Sequence, residues 1–411
     1  MSLAPPTEKQ ETPLKVLLSA LACEPEKGSE PEVGFRAMLA AASRHKVWVL
    51  TLPESAPAIE HALEGDARAT QIHLEPIEFG SKGRNLDDLT SLEFHLGYDR
   101  WQRHAAVRAA ELERDIGFDV LHHVTLASYW TRAGIGVVRK PLVWGPIGGG
   151  VDPPWRLIPE LGVRGTVEAA ARVLGRPAVA MLPRVKQTQR IASVVLVQNP
   201  DTGRRLRGPG HMRLLSNALA VELNGVADRV ARTRDLVFVG RLVPWKAPLL
   251  ALRTLRYVGH ADAVLRFFGS GPEKARLERA TRKWGLRDRV RFEGWVPRRS
   301  LLAEVASAGV LIHPAVHEEA GLCIAEALTL GTPVVTLDHG GPSQIVGQFR
   351  GAPTALVSPR DPDRTARAMA AAVDRFFADA QPSSHARIPS TTTFAAEVLR
   401  AYELAAAGAG V

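Results

Sequence analysis

The sequence has few cysteines and no long apolar runs. Its 411 residues include two cysteines, Cys23 and Cys323, which argues for a reducing compartment and against a disulfide framework. No run of about 18 or more apolar residues occurs, so no segment is predicted to span a membrane. Residues 1–13 lack the apolar core of a secretory signal and are predicted to form a disordered tail. We therefore expect a cytoplasmic protein.

The charge of the chain narrows the class of partner. The formal net charge is +9, which favours an anionic partner: nucleic acid, an acidic membrane surface or a phosphorylated substrate. Basic residues are scattered along the chain, without an aromatic-interleaved basic patch and without the spacing of zinc ligands. The sequence therefore disfavours nucleic acid, and the other two partners remain open.

The order of apolar and polar segments predicts two α/β domains. A strand at residues 14–20, a glycine-containing loop, a helix at 33–43 and a strand at 46–51 form the opening βαβ unit of a doubly wound sheet. A new strand begins at residue 236, after a polar segment. The length suits two such domains, each with its own core.

The most informative stretch is residues 311–346, which read as strand, polar loop, helix, strand and glycine loop. Glu318 lies in the first loop and Glu326 lies eight residues later in the helix. If the chain turns sharply at Gly321, both carboxylates can face one ligand across the helix N-terminus. Two carboxylates can accept hydrogen bonds from vicinal hydroxyls, which suits a sugar.

The start of the same helix can bind an anion. The backbone N–H groups of Leu322 and Cys323 would point at the ligand, and a helix N-terminus favours groups such as a diphosphate. Arg241 and Lys246, in the loop after the strand at 236–242, supply a guanidinium and an ammonium that can neutralise a diphosphate. The residues alone leave open a solvated acidic loop and a solvated Arg/Lys pair.

Together these motifs resemble an enzyme family. Glu318, seven intervening residues and EALTLGTPVV from Glu326 onward look like the glutamate signature of family-4 retaining glycosyltransferases of the GT-B fold. GRLVPWK at 240–246 looks like the pyrophosphate site of that family, although Ala247 replaces its usual glycine. The family usually has Gly-Phe-Gly after the first glutamate, whereas residues 319–321 read Glu-Ala-Gly. The choice of Glu318 over its neighbour therefore rests on spacing.

The resemblance implies roles for these four residues. Glu318 would contact the donor sugar, Glu326 would bind the ribose of the nucleotide, and Arg241 and Lys246 would stabilise the departing diphosphate. Because fixed cations would do this, the reaction would need neither a metal nor a cofactor besides the donor substrate.

Weaker correspondences extend the predicted site. Gly269, in a Gly-Ser-Gly turn, and Val296, beside Trp295, resemble nucleotide-binding segments of the family. Gly28 and Ser29 belong to a GSEP loop that a bacterial subgroup carries after the first strand.

A histidine usually lies near the anomeric carbon of the donor in this family, five residues after an aspartate. Val124 occupies that place after Asp119, so His123 is the predicted substitute, with His122 as second choice.

Two further segments have competing interpretations. Residues 155–190 are predicted to be helical, basic and partly apolar, either as a solvated insert or as a surface that rests on anionic lipid at the inner face of the membrane. Asp361, Pro362 and Asp363 have the Asp-x-Asp spacing that holds a divalent cation in sugar transferases of another fold. Pro362 near a helix start favours a helix cap instead.

The combined prediction is a GT-B fold of two Rossmann-like domains across a cleft. Residues 14–219 would bind the acceptor, 220–234 would form a hinge, 235–390 would bind the donor, and a helix within 391–411 would pack back across the hinge. The expected reaction moves a hexose, with mannose from GDP-mannose favoured over UDP-sugars, to a glycan, glycoside or lipid-linked acceptor.

Two alternatives remain open. A sugar-nucleotide epimerase of the GT-B fold would need carboxylates placed for proton transfer in the first domain, where no candidate pair is found. A non-catalytic basic protein that binds anions or membranes would not need Arg241, Lys246, Glu318 and Glu326 together.

Overall fold

The computed structural model describes residues 12–80, 91–206, 208, 210–220, 232–378 and 391–408. Within these ranges the chain forms two parallel sheets, of seven and six strands, with helices in the connections. The predicted pair of Rossmann-like domains is thereby confirmed. Most of the predicted tail (1–13) and of the predicted hinge (220–234) lies outside the described residues.

The first sheet has its change of direction between β1 and β4. Its strands are β1 (Lys15–Ser19), β2 (Lys46–Thr51), β3 (Ile72–Pro76), β4 (Val120–His123), β5 (Leu142–Ile147), β6 (Ala192–Val197) and β7 (His211–Leu214). They lie in the order β3-β2-β1-β4-β5-β6-β7. β1, β4 and β5 are almost entirely buried, which explains why they read as near-continuous apolar runs.

The second sheet repeats this topology. Its strands are β8 (Leu236–Val239), β9 (Leu265–Phe268), β10 (Val290–Gly294), β11 (Val310–His313), β12 (Val334–Leu337) and β13 (Thr354–Val357). The order β10-β9-β8-β11-β12-β13 puts the change of direction between β8 and β11. Open α/β sheets bind ligands in the crevice at this point, beyond the carboxyl ends of the strands.

The helices lie in the connections between strands, except the last two, which follow the last strand. They are α1 (Ser29–Ala42), α2 (Ala56–Ala62), α3 (Ser91–Ile116), α4 (Gly162–Ala180), α5 (Pro183–Ile191), α6 (Pro200–Arg205), α7 (Pro248–Leu255), α8 (Lys274–Lys283), α9 (Arg298–Ser307), α10 (Leu322–Thr329), α11 (Gly340–Val346), α12 (Pro362–Ala378) and α13 (Thr391–Ala407). No helix in the described ranges is long and apolar enough to cross a bilayer.

Helix α1 starts four residues before the predicted position 33. Pro31 lies in its first turn, where proline is tolerated because the N–H groups there have no intrahelical partner. Glu30 and Glu32 in the same turn interact favourably with the positive end of the helix dipole. The helix N-terminus is thus part of the loop after β1, with Gly28 as its N-cap.

The last helix, α13, packs on the first domain. The hydroxyl of Tyr402 lies 2.8 Å from Nδ1 of His122, and Arg213 forms an ion pair of 2.6 Å with Glu397. One apolar cluster includes Phe394 of this helix together with Ile324 of the second domain. The chain therefore returns from the second domain to the first.

Candidate active site

Two charged side chains meet at the switch point of the second sheet. Lys246 ends a short 3₁₀ helix, Pro244–Lys246, after β8, and Glu318 lies in the loop after β11. The ammonium of Lys246 donates a hydrogen bond to Oε2 of Glu318. Nε2 of His313, the last residue of β11, lies 3.4 Å from the same oxygen. Adjacent strands β8 and β11 therefore bring together residues that are 72 positions apart in the sequence.

The electrostatics keep this pair charged. Burial alone would raise the pKa of Glu318, but Lys246 and His313 outweigh burial and hold the pKa well below its ordinary value. Burial likewise opposes the charge of Lys246, yet the attraction of Glu318 keeps the pKa of Lys246 above its ordinary value. The carboxylate can therefore accept hydrogen bonds from a ligand while the ammonium stays protonated.

The neighbouring carboxylate, Glu319, makes different contacts. Its Oε2 accepts hydrogen bonds from Nδ2 of Asn199 at 2.8 Å and from the hydroxyl of Thr202 at 3.2 Å. The backbone N–H of Val151 donates to Oε1 at 3.3 Å. All three partners belong to the first domain, so Glu319 joins the domains whereas Glu318 remains with Lys246. The two adjacent glutamates, between which the sequence analysis chose on spacing, thus have different partners in the structure.

The sharp turn predicted at Gly321 is present. Its φ of 78° lies in the left-handed region, where a side chain would add strain, and α10 begins at the next residue. Leu322 and Cys323 therefore contribute their N–H groups to the helix N-terminus, and Leu322 lines a cavity between the two domains that is described below. The sulfur of Cys323 lies 3.4 Å from Nδ1 of His313.

Glu326 lies farther along α10 and is paired with an arginine that the sequence interpretation missed. The guanidinium of Arg298, at the start of α9, donates to Oε1 of Glu326. The same guanidinium covers Gly28 of the first domain, where an added Cβ would be 2.9 Å from Nη1. Arg298 thus connects Glu326 with the loop that carries Gly28 and Ser29. Arg298 comes directly after Val296 and Pro297, a segment predicted to bind the nucleotide, and this position in the sequence could have identified it as a site residue.

The other predicted donor residues lie along the carboxyl edge of the second sheet. Arg241 is exposed and forms no ion pair within the described part of the chain. Gly269 has a φ of 132°, and a Cβ there would be 2.2 Å from the carbonyl oxygen of Gly240, so the loops after β8 and β9 require glycine. Val296 is half-buried beside the exposed Trp295.

A cavity of about 350 Å³ lies between the two domains. Lys246, Glu318 and Leu322 of the second domain contribute to its wall. Its first-domain wall includes carboxylate, aromatic and amide side chains, namely Glu30, Phe94, Tyr98, Trp130 and Asn217. The wall opposite Lys246 therefore combines apolar ring faces with hydrogen-bonding groups.

Glu30 is the carboxylate of that first-domain wall. It accepts hydrogen bonds from the backbone N–H of Leu126 at 2.9 Å and from Nδ2 of Asn217 at 3.0 Å. Burial raises the pKa of Glu30 in spite of these two hydrogen bonds. The side chain is therefore held in a fixed orientation beside the cavity.

His123 is not among the residues that line this cavity in the structure. The ring is buried, with Nδ1 3.0 Å from the hydroxyl of Ser19 and Nε2 3.1 Å from the hydroxyl of Tyr98. Tyr98 lines the cavity and His123 packs behind it. Burial, followed by repulsion from His122, lowers the pKa of His123 to about 3. The ring is therefore neutral and has no free nitrogen for a ligand.

His122, the second choice, is also structural. Its Nε2 donates to the carbonyl oxygen of Gly145 at 2.7 Å, so Nδ1 of the neutral ring accepts from Tyr402. Burial lowers its pKa to about 4.

Two arginines of the basic segment 155–190 face the cleft and not solvent. The guanidinium carbon of Arg172 lies 4.0 Å from the ring centroid of Trp245, and that of Arg176 lies 4.2 Å from the ring centroid of Trp130. Burial, followed by repulsion from Arg172, lowers the pKa of Arg176 to about 10. A uniformly solvated insert is therefore the wrong description of this segment.

The Asp-x-Asp motif caps a helix. Oδ1 of Asp361 accepts from the backbone N–H of Arg364 at 3.0 Å, at the start of α12. Asp363 accepts from the hydroxyl of Tyr257 at 2.8 Å and from Arg253 at 3.0 Å. No group of three or more histidine, cysteine or acidic side chains with metal-binding geometry occurs in the ranges that the structure describes.

Comparisons with known proteins bear on this site. The family described as "Glycosyl transferases group 1" matches residues 227–387. The chain is 27% identical to 2-deoxystreptamine glucosyltransferase of Streptomyces kanamyceticus over 286 residues. This alignment covers 69% of this chain and 68% of the relative. Over 263 residues it is 31% identical to D-inositol 3-phosphate glycosyltransferase of Thermomonospora curvata, covering 58% of this chain and 60% of the relative.

Solved structures share the fold. Anabaena Alr3699/HepE in complex with UDP has a TM-score of 0.55 at 17% identity, covering 97% of this chain and 99% of that one. Sucrose-phosphate synthase from Thermosynechococcus elongatus has a TM-score of 0.59 at 19% identity, covering 97% of both chains. At this identity the likeness concerns the fold alone. The matched family model includes both the Lys246 and the Glu318 loops, so this part of the chain is similar to group 1 glycosyltransferases, and the two-sheet architecture is that of the GT-B fold.

Proposed function

We propose that this glycosyltransferase moves a hexose from a nucleotide diphosphate sugar to a polyhydroxylated acceptor with retention of anomeric configuration. The observation that carries the proposal is the charged pair of Lys246 and Glu318, which faces a cavity whose other wall is the first domain. A transfer between two substrates needs a site for each, and the two walls of the cavity support the proposal because each could hold one substrate.

The donor would lie along the second domain. Lys246 and Arg241 would neutralise the diphosphate as its bond to the sugar breaks, which is the largest electrostatic demand of the reaction. The N–H groups of Leu322 and Cys323 would bind the same phosphates. Glu318 would orient the sugar through its hydroxyls.

Farther along α10, Glu326 would accept hydrogen bonds from the ribose, with Arg298 as its partner. Fixed cations and helix N–H groups would perform this electrostatic work without a metal ion.

The acceptor would lie along the first domain. Glu30, held by Leu126 and Asn217, would accept a hydrogen bond from an acceptor hydroxyl, and Tyr98 and Trp130 would contact the faces of its ring. The names of two relatives specify 2-deoxystreptamine and D-inositol 3-phosphate, which are both hydroxylated rings. A glycan, glycoside or lipid-linked sugar presents the same chemistry to this wall.

A thermal-shift screen with GDP, UDP and ADP and their sugars tests the donor half, because a ligand of the native state raises the melting temperature. GDP-mannose, the donor favoured from the sequence, and UDP-glucose are the first two sugars to compare. Glu318→Gln should abolish transfer, while Glu319→Gln, which keeps a hydrogen-bonding side chain at the domain contact, is the matched control.

Product analysis then tests the reaction. Consumption of the donor should require an acceptor, and NMR of the product should show the anomeric configuration of the donor. Conversion of the sugar nucleotide without acceptor would favour an epimerase, and an inverted product would contradict retention.

A further inference from the structure

Helix α4 presents an apolar face to solvent. Four side chains form this apolar face of α4, including that of Met181 at its C-cap, and their exposed fractions are 86% for Val163, 63% for Val167, 75% for Leu174 and 62% for Met181. The intervals of four, seven and seven residues put them on one side of the helix. Trp155, in the preceding 3₁₀ helix, is also 73% exposed.

The polarity of this helix is the reverse of that expected for a helix on a protein surface. Arg172 and Arg176 point inward and stack on Trp245 and Trp130, while the aliphatic residues point outward. A helix that packs against its own domain normally turns its apolar side inward. Contiguous exposed apolar surface of this kind marks an interaction site.

The charges around the face specify its partner. Between residues 161 and 191 the basic side chains are Arg164, Arg172, Arg176, Arg184, Lys186 and Arg190. The one acidic side chain of this segment, Glu168, accepts a hydrogen bond from Arg164 at 3.0 Å. The segment therefore has a net positive charge, although Arg184 also lies 3.7 Å from the carboxylate of Asp99 on α3.

We propose that the apolar face of α4 docks on an anionic lipid bilayer. A helix with aliphatic side chains on one side, flanked by arginine and a tryptophan, lies in the plane of the headgroups with its apolar side buried and its cations beside lipid phosphates. A second copy of the chain fits less well, because an isologous contact would bring the like-charged arginines of both copies together.

Docking would orient the active site toward the membrane. The inner side of α4 carries Arg176 to the cavity wall, so the cavity lies directly behind the lipid-facing helix. This orientation would present the acceptor wall to a sugar whose lipid tail remains in the bilayer, an inference that rests on the proposed transferase function.

Vesicle co-sedimentation of the full chain tests the proposal without donor or acceptor, so its outcome is independent of the proposed function. Binding is expected to vesicles that contain about one third phosphatidylglycerol, to be weaker with phosphatidylcholine alone, and to fall as salt rises from about 0.1 to about 0.5 M.

The variant Val167→Ser/Leu174→Ser should weaken binding roughly tenfold or more, because binding scales with buried apolar area. Leu96→Ser/Val107→Ser, which changes two exposed aliphatic side chains of α3, is the matched control and should bind as the wild type does. Unchanged melting temperatures would show that both variants fold.

Three results would overturn the proposal: no binding to any vesicle, equal binding to both vesicle types, or equal loss in both variants. Light scattering that shows a dimer disrupted by Val167→Ser/Leu174→Ser would assign the face to a second copy and would also overturn it.

Discussion

Lys246 and Glu318 form an ion pair that joins the loops after the two central strands of the second sheet, 72 residues apart in sequence. Because each charge depends on the other, removal of Glu318 leaves the ammonium of Lys246 without its carboxylate, and removal of Lys246 leaves Glu318 with His313, 3.4 Å away, as the neighbouring cation. Lys246→Met and Glu318→Gln should each lower the free energy of unfolding by roughly 2 kcal/mol, below the range for breaking a fully buried pair, because the two side chains are 22% and 14% exposed.

The double variant Lys246→Met/Glu318→Gln should recover much of this loss, which a double-mutant cycle by urea denaturation would measure. Transfer activity should stay low in all three variants, since both groups are assigned to the donor. Additive losses in stability would mean that the two side chains are independently solvated.

Arg241 allows activity to be tested apart from stability. Its guanidinium is exposed and has no ion-pair partner in the described ranges, so Arg241→Ala should leave the melting temperature unchanged. Transfer should fall by roughly a hundredfold, the scale for loss of one preorganised charge donor. Arg375→Ala, an exposed arginine on α12, is the matched control and should retain activity. Near-wild-type turnover of Arg241→Ala would exclude Arg241 from the diphosphate site.

Metal independence can be tested by chelation. Transfer should survive excess EDTA, because Lys246, Arg241 and the N-terminus of α10 are assigned the neutralisation of the diphosphate. Asp363→Asn should lower the free energy of unfolding by less than about 1 kcal/mol, because the side chain of Asp363 is about half exposed where it contacts Arg253. Loss of activity on chelation, restored by manganese or magnesium, would contradict the proposed chemistry.

Two buried histidines predict how stability depends on pH. The pKa values of His122 and His123 are lowered by burial to about 4 and about 3, whereas an exposed histidine has a pKa of about 6.5. At these two positions the unfolded chain therefore binds more protons below about pH 6.5, and their contribution to the free energy of unfolding should fall from pH 7 toward pH 4. Each histidine contributes a slope of up to about 1.4 kcal/mol per pH unit in this window.

His122→Gln should remove about half of the slope that the two histidines contribute, as measured by urea denaturation between pH 7 and about pH 5. His61→Gln is the control, because that exposed side chain stays in water in both states. An unchanged slope in His122→Gln would show that His122 takes up its proton in the folded state.

The sequence was sufficient for the parts of the site that follow from topology. Buried apolar strands separated by helices predict parallel sheets, and ligand groups at the ends of β8 and β11 meet because those strands are neighbours at the switch point. Lys246 and Glu318 are therefore brought together as the spacing suggested. The predicted fold was confirmed for the same reason.

Contacts between distant segments could not be predicted in this way. Glu319 is distinguished from Glu318 by Asn199, which is 120 residues away on the other domain. His123 is buried because Tyr98 of α3 covers it, and no local pattern around His123 encodes that contact. The pairing of Arg298 with Glu326 depends on how α9 and α10 pack.

The contact between Asn199 and Glu319 provides a test of domain closure. Nδ2 of Asn199 donates to the carbonyl oxygen of Glu319 at 2.9 Å and to Oε2 at 2.8 Å, while its Oδ1 caps α6 by accepting from Thr202 at 2.9 Å. Asn199→Asp keeps the cap, because aspartate is an equally good N-cap, but it opposes the carboxylate of Glu319 with a second carboxylate. The ligand-free variant should therefore have a larger radius of gyration in small-angle scattering than the wild type.

A nucleoside diphosphate should compact this variant, because the diphosphate can bind Lys246 and Arg241 on one domain and the Gly28 loop on the other, and the nucleoside alone should not. Asn199→Asp/Glu319→Gln restores a donor opposite the new carboxylate and should return the ligand-free scattering to that of the wild type. Asp201→Asn, which alters an ion pair within α6, is the matched control. If Asn199→Asp scatters like the wild type without ligand, Glu319 does not hold the domains together. If the nucleoside compacts the variant as well as the nucleoside diphosphate does, the diphosphate does not drive closure.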